Sequence, residues 1–192
     1  MDIRALLTAN RSYRRFRGDE PIHPRTLLEL VELTRLCPSA ANRQPLRYLI
    51  VCDPAANAKL FGHLAWARAL EGWSGPAEHE RPTGYIVILG DTQITDQYTV
   101  DAGIAAQSIL LGAVERGLGG CMIGSINRDA VRRDFHIPER FGVCLVLALG
   151  VPNETIVLEN AKDPGDVVYW RDAEGVHHVP KRPIGELLVK FD

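Results

Sequence analysis

The sequence predicts an α+β fold in which helices and strands are mixed rather than strictly alternating. Short apolar runs at 46–52, 85–89 and 143–149 have the length and composition of buried strands. Residues 101–115 are apolar on almost every side, which predicts a central, buried helix. Apolar residues three or four positions apart predict a further, amphipathic helix over 24–37. Together these patterns indicate a sheet packed against helices.

The other elements follow from weaker local signals. In chain order they are a helix over 1–9, a helix opened by Asp53-Pro54, an ordered surface loop over 65–83, a strand over 121–123, a helix near 129–136 and an edge strand over 167–170. Asp53 suits a helix cap and Pro54 a first helical residue. A loop as long as 65–83 is usually functional or disordered, and its tryptophans argue against disorder.

Length and composition favour a soluble globular protein with a single domain over 1–192. A chain of this size buries roughly 70% of its unfolded surface. Hydrophobic residues make up 46% and the formal charge is −2, so no global positive field favours nucleic acid or acidic lipid. No apolar run approaches the roughly 20 residues that span a bilayer, and the start of the chain is not a basic region followed by an apolar one. We therefore expect a cytoplasmic protein without a membrane partner.

The sequence offers no familiar side-chain catalyst or metal site. The four cysteines are dispersed and lie in no Cys-x-x-Cys pair, so we expect reduced thiols, buried where they lie in the apolar runs at Cys52 and Cys144. No Ser-His-Asp order, zinc-type histidine spacing or phosphate-binding Gly-Lys-Ser/Thr motif occurs. Any chemistry must therefore belong to a cofactor.

Two polar clusters indicate which cofactor. Arginines surround a serine in residues 11–16, and such groups make charge-assisted hydrogen bonds to phosphate. Residues 38–45 form a loop rich in amides and hydroxyls, which suit the edge of a heteroaromatic ring. Together they predict a flavin mononucleotide (FMN). The alternatives are a solvated helix end with a plain helix-to-strand connection, or a basic patch that binds nucleic acid.

The glycines at 117–124 do not form a dinucleotide fingerprint. They close a helix and lead into a strand, whereas the fingerprint needs a strand that leads into a helix. One interpretation is a glycine helix cap, and the other is bare backbone at Ile123 and Gly124 lying against a flat ligand. The basic pair Lys181-Arg182 is likewise either surface charge or a phosphate contact.

Four motifs in order make nearly the whole chain resemble the FMN-dependent nitroreductase family. They are Arg-Ser-x-Arg-x-Phe at 11–16, Pro-Ser-x-x-Asn-x-Gln-Pro at 38–45, Gly-Leu-Gly-Gly-Cys-x-Ile-Gly at 117–124, and a strand that ends in Leu-Gly-Val-Pro at 149–152. The resemblance implies a homodimeric α/β sandwich, with a mainly antiparallel sheet flanked by helices and two FMN sites at the subunit interface. Asn10 and Leu46 depart from the family pattern, and the loop over 65–83 follows none.

The resemblance also assigns the phosphate end of the cofactor. It implies that Arg11, Ser12 and Arg14 hold the phosphate, the ribityl chain and the pyrimidine edge. It implies that Lys181 or Arg182 completes the phosphate site. A fixed cation such as Arg14 would stabilise negative charge on the pyrimidine side of the ring and raise the reduction potential.

The ring of the cofactor would be held by two further groups. The partner subunit is expected to supply four residues, namely Ser39, Ala40, Asn42 and Gln44. Ile123 and Gly124 are expected to lie against the flavin near N5. Trp66 and Trp73 are candidates for stacking on the substrate, with core packing as the alternative.

The implied activity is that of an NAD(P)H-dependent oxidoreductase. NADH or NADPH would reduce the FMN, which would then reduce a nitroaromatic, a quinone or a similar flat acceptor by ping-pong hydride transfer at N5, without a catalytic side chain. One alternative keeps the fold and the cofactor but changes the reaction to dehalogenation, enone reduction or fragmentation of the flavin. Another is a protein that binds FMN without turnover.

Overall fold

The computed structural model describes residues 2–67 and 69–189, which fall into two compact units. One unit contains the chain through Trp66 and residues 75–153, and the other contains residues 67–74 and the chain from Glu154 onward. The single domain over 1–192 stays a prediction. Met1 and Arg68, which belong to the predicted first helix and the predicted loop, lie outside the described residues.

The first unit is built on a four-stranded antiparallel sheet. Its strands are β1 (Leu46–Val51), β2 (Gly84–Asp91), β3 (Gly119–Ile123) and β4 (Phe141–Gly150). Their order is β1-β2-β4-β3, so β1 and β3 are the two edges. The apolar runs correctly predicted this sheet, with strand ends shifted by one or two residues.

The described part of the first unit contains five α-helices besides the sheet. They are α1 (Ile3–Ala9), α2 (Pro24–Glu32), α3 (Pro54–Phe61), α4 (Thr99–Glu115) and α5 (Arg128–Asp134). The side chain of Asp53 accepts a hydrogen bond from the Ala56 backbone N–H at 2.9 Å and so caps α3, as predicted. Gly117 has a φ of 73° just after α4, which confirms a glycine helix end.

The prediction of one helix over 24–37 is wrong in its last turn. Residues Leu33–Leu36 form a 3₁₀ turn instead. Pro38 favours extended backbone at the residue before it, and Cys37 has φ −79° and ψ 147°. The Thr34 hydroxyl also donates to the Val31 carbonyl at 2.7 Å.

A hydrophobic core cluster lies between one face of the sheet and helices α2 and α4. Leu30 of α2 and Ile109 of α4 are fully buried there together with Ile86 of β2 and Leu147 of β4. Because side chains alternate along a strand, Tyr85 faces the other side of the sheet, where it is also fully buried. The sheet therefore has two covered faces.

Of the four free cysteines, Cys121 is buried, whereas Cys37, Cys52 and Cys144 are half-buried. The prediction of buried thiols at Cys52 and Cys144 is therefore wrong. Cys52 follows the edge strand β1. Cys144 precedes Val146, the residue of β4 at which the pairing with β3 begins.

The second unit contains a three-stranded sheet that the sequence did not predict. Its strands are β5 (Ile156–Asn160), β6 (Trp170–Arg171) and β7 (His177–Lys181), in the order β5-β7-β6, and α6 (Ile184–Leu187) follows. The predicted edge strand over 167–170 is therefore wrong in its bounds. These strands were missed because they are short, and β7 carries adjacent histidines and a proline. No helix in the described parts of either unit is long and apolar enough to cross a membrane.

We expect a pH-dependent step in the second unit at His178. Its imidazole lies 3.2 Å from Asp172 and 3.3 Å from Glu159, and it stacks on Trp170 at 4.1 Å. The bond to Asp172, followed by that to Glu159, raises the pKa of His178. Because the folded pKa is raised, this stabilisation is complete below about pH 6.5, the usual value for unfolded chains, and is lost as the pH rises through the folded pKa.

An NMR titration of the His178 ring checks this expectation, and a His178→Gln variant is the control for the unfolding midpoint. As the pH rises through the titration range of His178, the unfolding midpoint of the wild type should fall. The unfolding midpoint of the variant should not show this step. A measured pKa at or below the ordinary value would contradict the expectation.

Candidate functional site

The arginine segment lies directly beside β3. The Tyr13 backbone N–H donates to the Gly120 carbonyl at 3.0 Å, and Ser12 pairs with Gly120 as in a parallel ladder. The ring of Tyr13 lies over Gly119, where an added Cβ would come within 2.5 Å of a ring carbon. The structure therefore brings the predicted residues 11–14 together with the glycine segment, and Gly119 is the residue that permits it.

The Arg11 side chain is only partly hydrogen-bonded by the described residues. It donates to the Leu7 carbonyl at 2.7 Å, but its buried Nε has no hydrogen-bond partner among them. Burial lowers the pKa of the Arg11 guanidinium from its ordinary value. Arg14 donates to the Ser12 carbonyl at 3.1 Å, and the Ser12 side chain is exposed. The segment thus presents two guanidinium groups and a hydroxyl on one short stretch.

Gly124 lies in the open just after β3. A Cβ added there would meet no atom within 4 Å, and its φ lies outside the left-handed region. Neither packing nor backbone conformation within this chain therefore requires a glycine at this position. Ile123, the last residue of β3, is only 5% exposed, so its side chain is committed to the interior. The surface at this point is bare backbone, and its contact with a flat ligand stays a prediction.

The loop over 38–45 is held by a buried carboxylate. The Ser39 hydroxyl donates to one oxygen of Asp101 at 2.5 Å, and the Ala40 backbone N–H donates to the other at 3.3 Å. The Gln44 N–H donates to the Ser39 hydroxyl at 2.9 Å and so closes the loop on itself. Asp101 lies in the first turn of α4 and is only 5% exposed. This carboxylate is the anchor of the loop.

The same loop carries unusual backbone strain. Ala41, Asn42 and Gln44 have φ values of 50°, 51° and 51°. Left-handed backbone costs a non-glycine residue about 1–2 kcal/mol, and asparagine tolerates it best. Such conformations persist only where the surroundings enforce them, and they cluster at functional sites. The Gln44 side-chain amide also donates to the Asn42 amide oxygen at 3.1 Å, so both amides are already oriented.

The loop lines a polar recess of about 200 Å³. Ser39, Asn42, Gln44 and Asp101 contribute to its wall, together with Tyr48. Burial raises the pKa of Tyr48, which therefore keeps its proton at neutral pH. The lining residues do not include those of the arginine segment. Within one chain, the two predicted halves of the site are therefore separate.

The C-terminal basic pair belongs to the second unit. Lys181 is the last residue of β7 and is exposed. Arg182 already forms an ion pair with Glu186 at 3.0 Å. The assignment of either residue to a phosphate stays a prediction that rests on the family resemblance.

The two tryptophans lie in different units. Trp66 is 6% exposed and packs against Phe61 with ring centroids 5.6 Å apart, which favours the core-packing alternative for it. Trp73 lies in the second unit beneath the guanidinium of Arg171 at 4.5 Å. A substrate role for either tryptophan stays a prediction.

Sequence reasoning missed Asp101. It stands within the first turn of a helix whose neighbouring positions are almost all apolar, and it is buried there. A charged side chain is rarely fully buried unless it has partners. One acidic residue on the apolar face of a helix predicted to be central was the available signal, and the polar loop over 38–45 supplies the partners.

Most of the chain matches a known protein family. The sequence model of the nitroreductase family matches residues 7–81 and 83–151. A protein of Archaeoglobus fulgidus, provisionally named an NADH dehydrogenase/NAD(P)H nitroreductase, is 26% identical over 145 residues, which cover 71% of this chain and 78% of that protein. The similarity to known proteins therefore extends over most of the chain.

Two solved structures show the same fold. A nitroreductase family protein from Streptococcus pneumoniae TIGR4 superposes with a TM-score of 0.72 at 18% identity, over 99% of this chain and 100% of that chain. An FMN-dependent nitroreductase from Clostridium difficile R20291 gives 0.66 at 22% identity, over 85% and 94%. The comparisons identify an oxidoreductase. The chain belongs to the nitroreductase family.

Proposed function

We propose that this oxidoreductase is FMN-dependent and acts as a homodimer, with each FMN held between two chains. Arg11, Ser12 and Arg14 of one chain would bind the phosphate, the ribityl chain and the pyrimidine edge. The loop over 38–45 of the second chain would supply Ser39, Ala40, Asn42 and Gln44. The observation that carries the proposal is the bare backbone at Gly124, which no contact with the described residues requires.

The residues present fit this cofactor. A flat ring system can approach Gly124 without a clash, since no side chain of the described residues lies within 4 Å of a Cβ there. The buried Nε–H of Arg11 lacks an acceptor, which an anionic or carbonyl oxygen would supply. Guanidinium groups next to a hydroxyl are typical of phosphate and carbonyl recognition.

The separation of the two half-sites supports a second chain. The loop over 38–45 is strained and anchored, which is costly unless it serves a site. Yet the recess that it lines lacks the arginine segment. A composite site between two copies of the chain accounts for both observations.

FMN bound there would supply the redox chemistry, accepting a hydride from NADH or NADPH and passing it to a nitroaromatic, a quinone or a similar flat acceptor in ping-pong order. The protein's own part is binding and electrostatics. Arg14 would place a fixed positive charge beside the pyrimidine edge, where it stabilises negative charge. The oriented amides of Asn42 and Gln44 would offer donors and acceptors to the ring edge.

The test is a visible absorption spectrum of the purified protein, recorded anaerobically before and after addition of NADH or NADPH. Bands near roughly 370 and 450 nm that bleach on addition, and recover with each added portion of acceptor, support the proposal. A flavin that binds but is not reduced by either nucleotide would indicate a binding protein. A protein that stays colourless after incubation with FMN would contradict the cofactor assignment.

We expect Arg14→Ala to retain FMN at least about tenfold more weakly and to reduce it more slowly, because a charge-assisted hydrogen bond is worth about 1.5–3 kcal/mol. Arg17→Ala is the matched control, since Arg17 lies three residues further along the chain, is exposed and forms an ion pair with Glu20 at 2.9 Å, and we assign it no contact with the cofactor. FMN titration and stopped-flow reduction measure both effects. Wild-type behaviour of Arg14→Ala would remove this residue from the site.

A further inference from the structure

We propose that the first unit holds a second ligand site, a cavity at the end of β1 that binds a small flat carboxylic acid with a further hydrogen-bond donor. The cavity measures about 320 Å³. This volume lies at the lower end of the roughly 300–1,000 Å³ range of small-molecule pockets. Its walls are formed by α3 along its length, the start of β2, the residues that precede β2, and the segment 18–21.

Three residues of these walls each carry a polar atom without a hydrogen-bond partner among the described residues. These atoms are the Tyr85 hydroxyl, the Asn57 amide oxygen and the Nε–H of Arg81, and all three are buried. Tyr85 is fully buried, and burial raises the pKa of its hydroxyl, which therefore remains a donor. An unmade hydrogen bond on a buried group is unfavourable, and such groups usually have a partner. Three of them on one cavity indicate a polar ligand.

One end of the Asn57 amide is held by the fold. Its side-chain N–H donates to the Thr83 carbonyl at 2.9 Å, which leaves the amide oxygen as the free acceptor of a residue that lines the cavity. The ligand must therefore bring a donor to this position, such as a hydroxyl or an amine. This requirement distinguishes the site from a simple anion hole.

Arg81 supplies a flat, positively charged group to the cavity. Its guanidinium stacks over Phe61 at 4.2 Å and forms no ion pair with a carboxylate of the described residues. A carboxylate can accept hydrogen bonds from both Arg81 and the Tyr85 hydroxyl. Pro54 and Phe61 add apolar surface that suits a flat ring. Glu78 also lines the cavity, but it is exposed, so water screens its charge.

The cavity lies away from the proposed flavin site. It adjoins the end of β1 at Val51, whereas the loop over 38–45 precedes the start of the same strand at Leu46. A strand of this length spans about 17–20 Å. Gly124 follows β3 at the opposite edge of the sheet, and each intervening strand adds about 4.8 Å. A ligand in this cavity would therefore bind independently of the flavin ring.

Calorimetric titration of the FMN-saturated protein with 4-hydroxybenzoate tests the proposal. This probe carries a carboxylate, a flat ring and a phenolic donor. We expect saturable binding of one molecule per chain below about 1 mM without a change in the flavin spectrum, and at least about tenfold weaker binding of the neutral 4-hydroxybenzamide. The readout needs no turnover, so it stands apart from the test of the proposed function.

Two variants locate the bound probe. Tyr85→Phe removes only the hydroxyl, and Arg81→Gln removes the charge, and each should weaken binding at least about tenfold. Arg140→Gln is the matched control, because Arg140 stacks over Phe141 at 4.4 Å in the same way but does not line the cavity. Without ligand, Tyr85→Phe should unfold at the same temperature as the wild type or higher, since it removes a buried unpartnered hydroxyl.

Three results would overturn the proposal. They are the absence of binding by 4-hydroxybenzoate, equal binding by wild type and both cavity variants, and binding that always perturbs the flavin spectrum. The last result would place the probe against the flavin. A cavity filled by ordered water alone would give the first result.

Discussion

Asp101→Ala is expected to weaken FMN binding by about 100-fold, although Asp101 is not expected to touch the cofactor. The carboxylate accepts hydrogen bonds from the Ser39 hydroxyl and the Ala40 N–H, and these bonds hold the loop over 38–45. That loop contains three residues with left-handed backbone. Without its anchor, the loop should relax to less strained conformations that no longer present Asn42 and Gln44.

The size of the effect follows from the bonds that are lost. A hydrogen bond to a charged group contributes about 1.5–3 kcal/mol, so two of them contribute roughly 3 kcal/mol or more. If the binding-competent loop becomes less populated by that amount, the apparent affinity falls in proportion, by about 100-fold. The strain at Ala41 and Gln44 acts in the same direction, because it favours release of the loop.

FMN titration of Asp101→Ala and of Asp129→Ala measures this effect. Asp129 is the matched control, because it also lies in the first turn of a helix, α5, but is exposed. Asp129→Ala should bind FMN like the wild type. If Asp101→Ala also did so, the loop would not need its anchor, and the positioning role of Asp101 would be wrong.

Local pattern predicted the first unit well because its signals are strong. Each of the runs at 46–52, 85–89 and 143–149 is apolar enough to be recognised without its neighbours. The long helix α4 is equally clear, since almost every position is apolar. In both cases the element is recognised because its residues are buried, and apolar residue types are the ones most often buried.

The second unit shows where local pattern is insufficient. Strand β6 has two residues, and β7 contains Pro180 and two adjacent histidines, so neither resembles a half-buried strand. β7 pairs with β5 between distant positions such as Ile156 and His177, and β6 pairs with β7 rather than with β5. Such pairing is a tertiary property, and strand preference in the residues themselves is weak.

The sequence predicted which polar residues form the candidate site, but not the backbone conformation or the buried carboxylate that hold them. The polar character of 38–45 is visible in the sequence, whereas the left-handed backbone at Ala41 and Gln44 is not, because neither residue favours it. The link from Ser39 to Asp101 joins positions 62 residues apart. Only the packed fold brings a carboxylate on α4 beneath that loop.

Gly120→Ala is expected to destabilise the fold, whereas Gly124→Val is expected to weaken FMN binding, although the two glycines are only four residues apart. A Cβ at Gly120 would lie 2.7 Å from the backbone oxygen of Ala148 on the neighbouring strand, which cannot move without disturbing the sheet. Overpacking of this kind costs about 1–3 kcal/mol. Gly120→Ala should therefore lower the free energy of unfolding.

Gly124→Val should leave the free energy of unfolding within about 0.5 kcal/mol of the wild type, because the added side chain meets no atom of the described chain. The same side chain would occupy the space where we place the flavin ring, so FMN binding should weaken by at least about tenfold. Urea unfolding without FMN and FMN titration separate the two effects. If Gly124→Val bound FMN normally, the open backbone at this position would have another purpose. If it unfolded early instead, Gly124 would serve the fold like Gly120, and the observation that carries the proposed function would be lost.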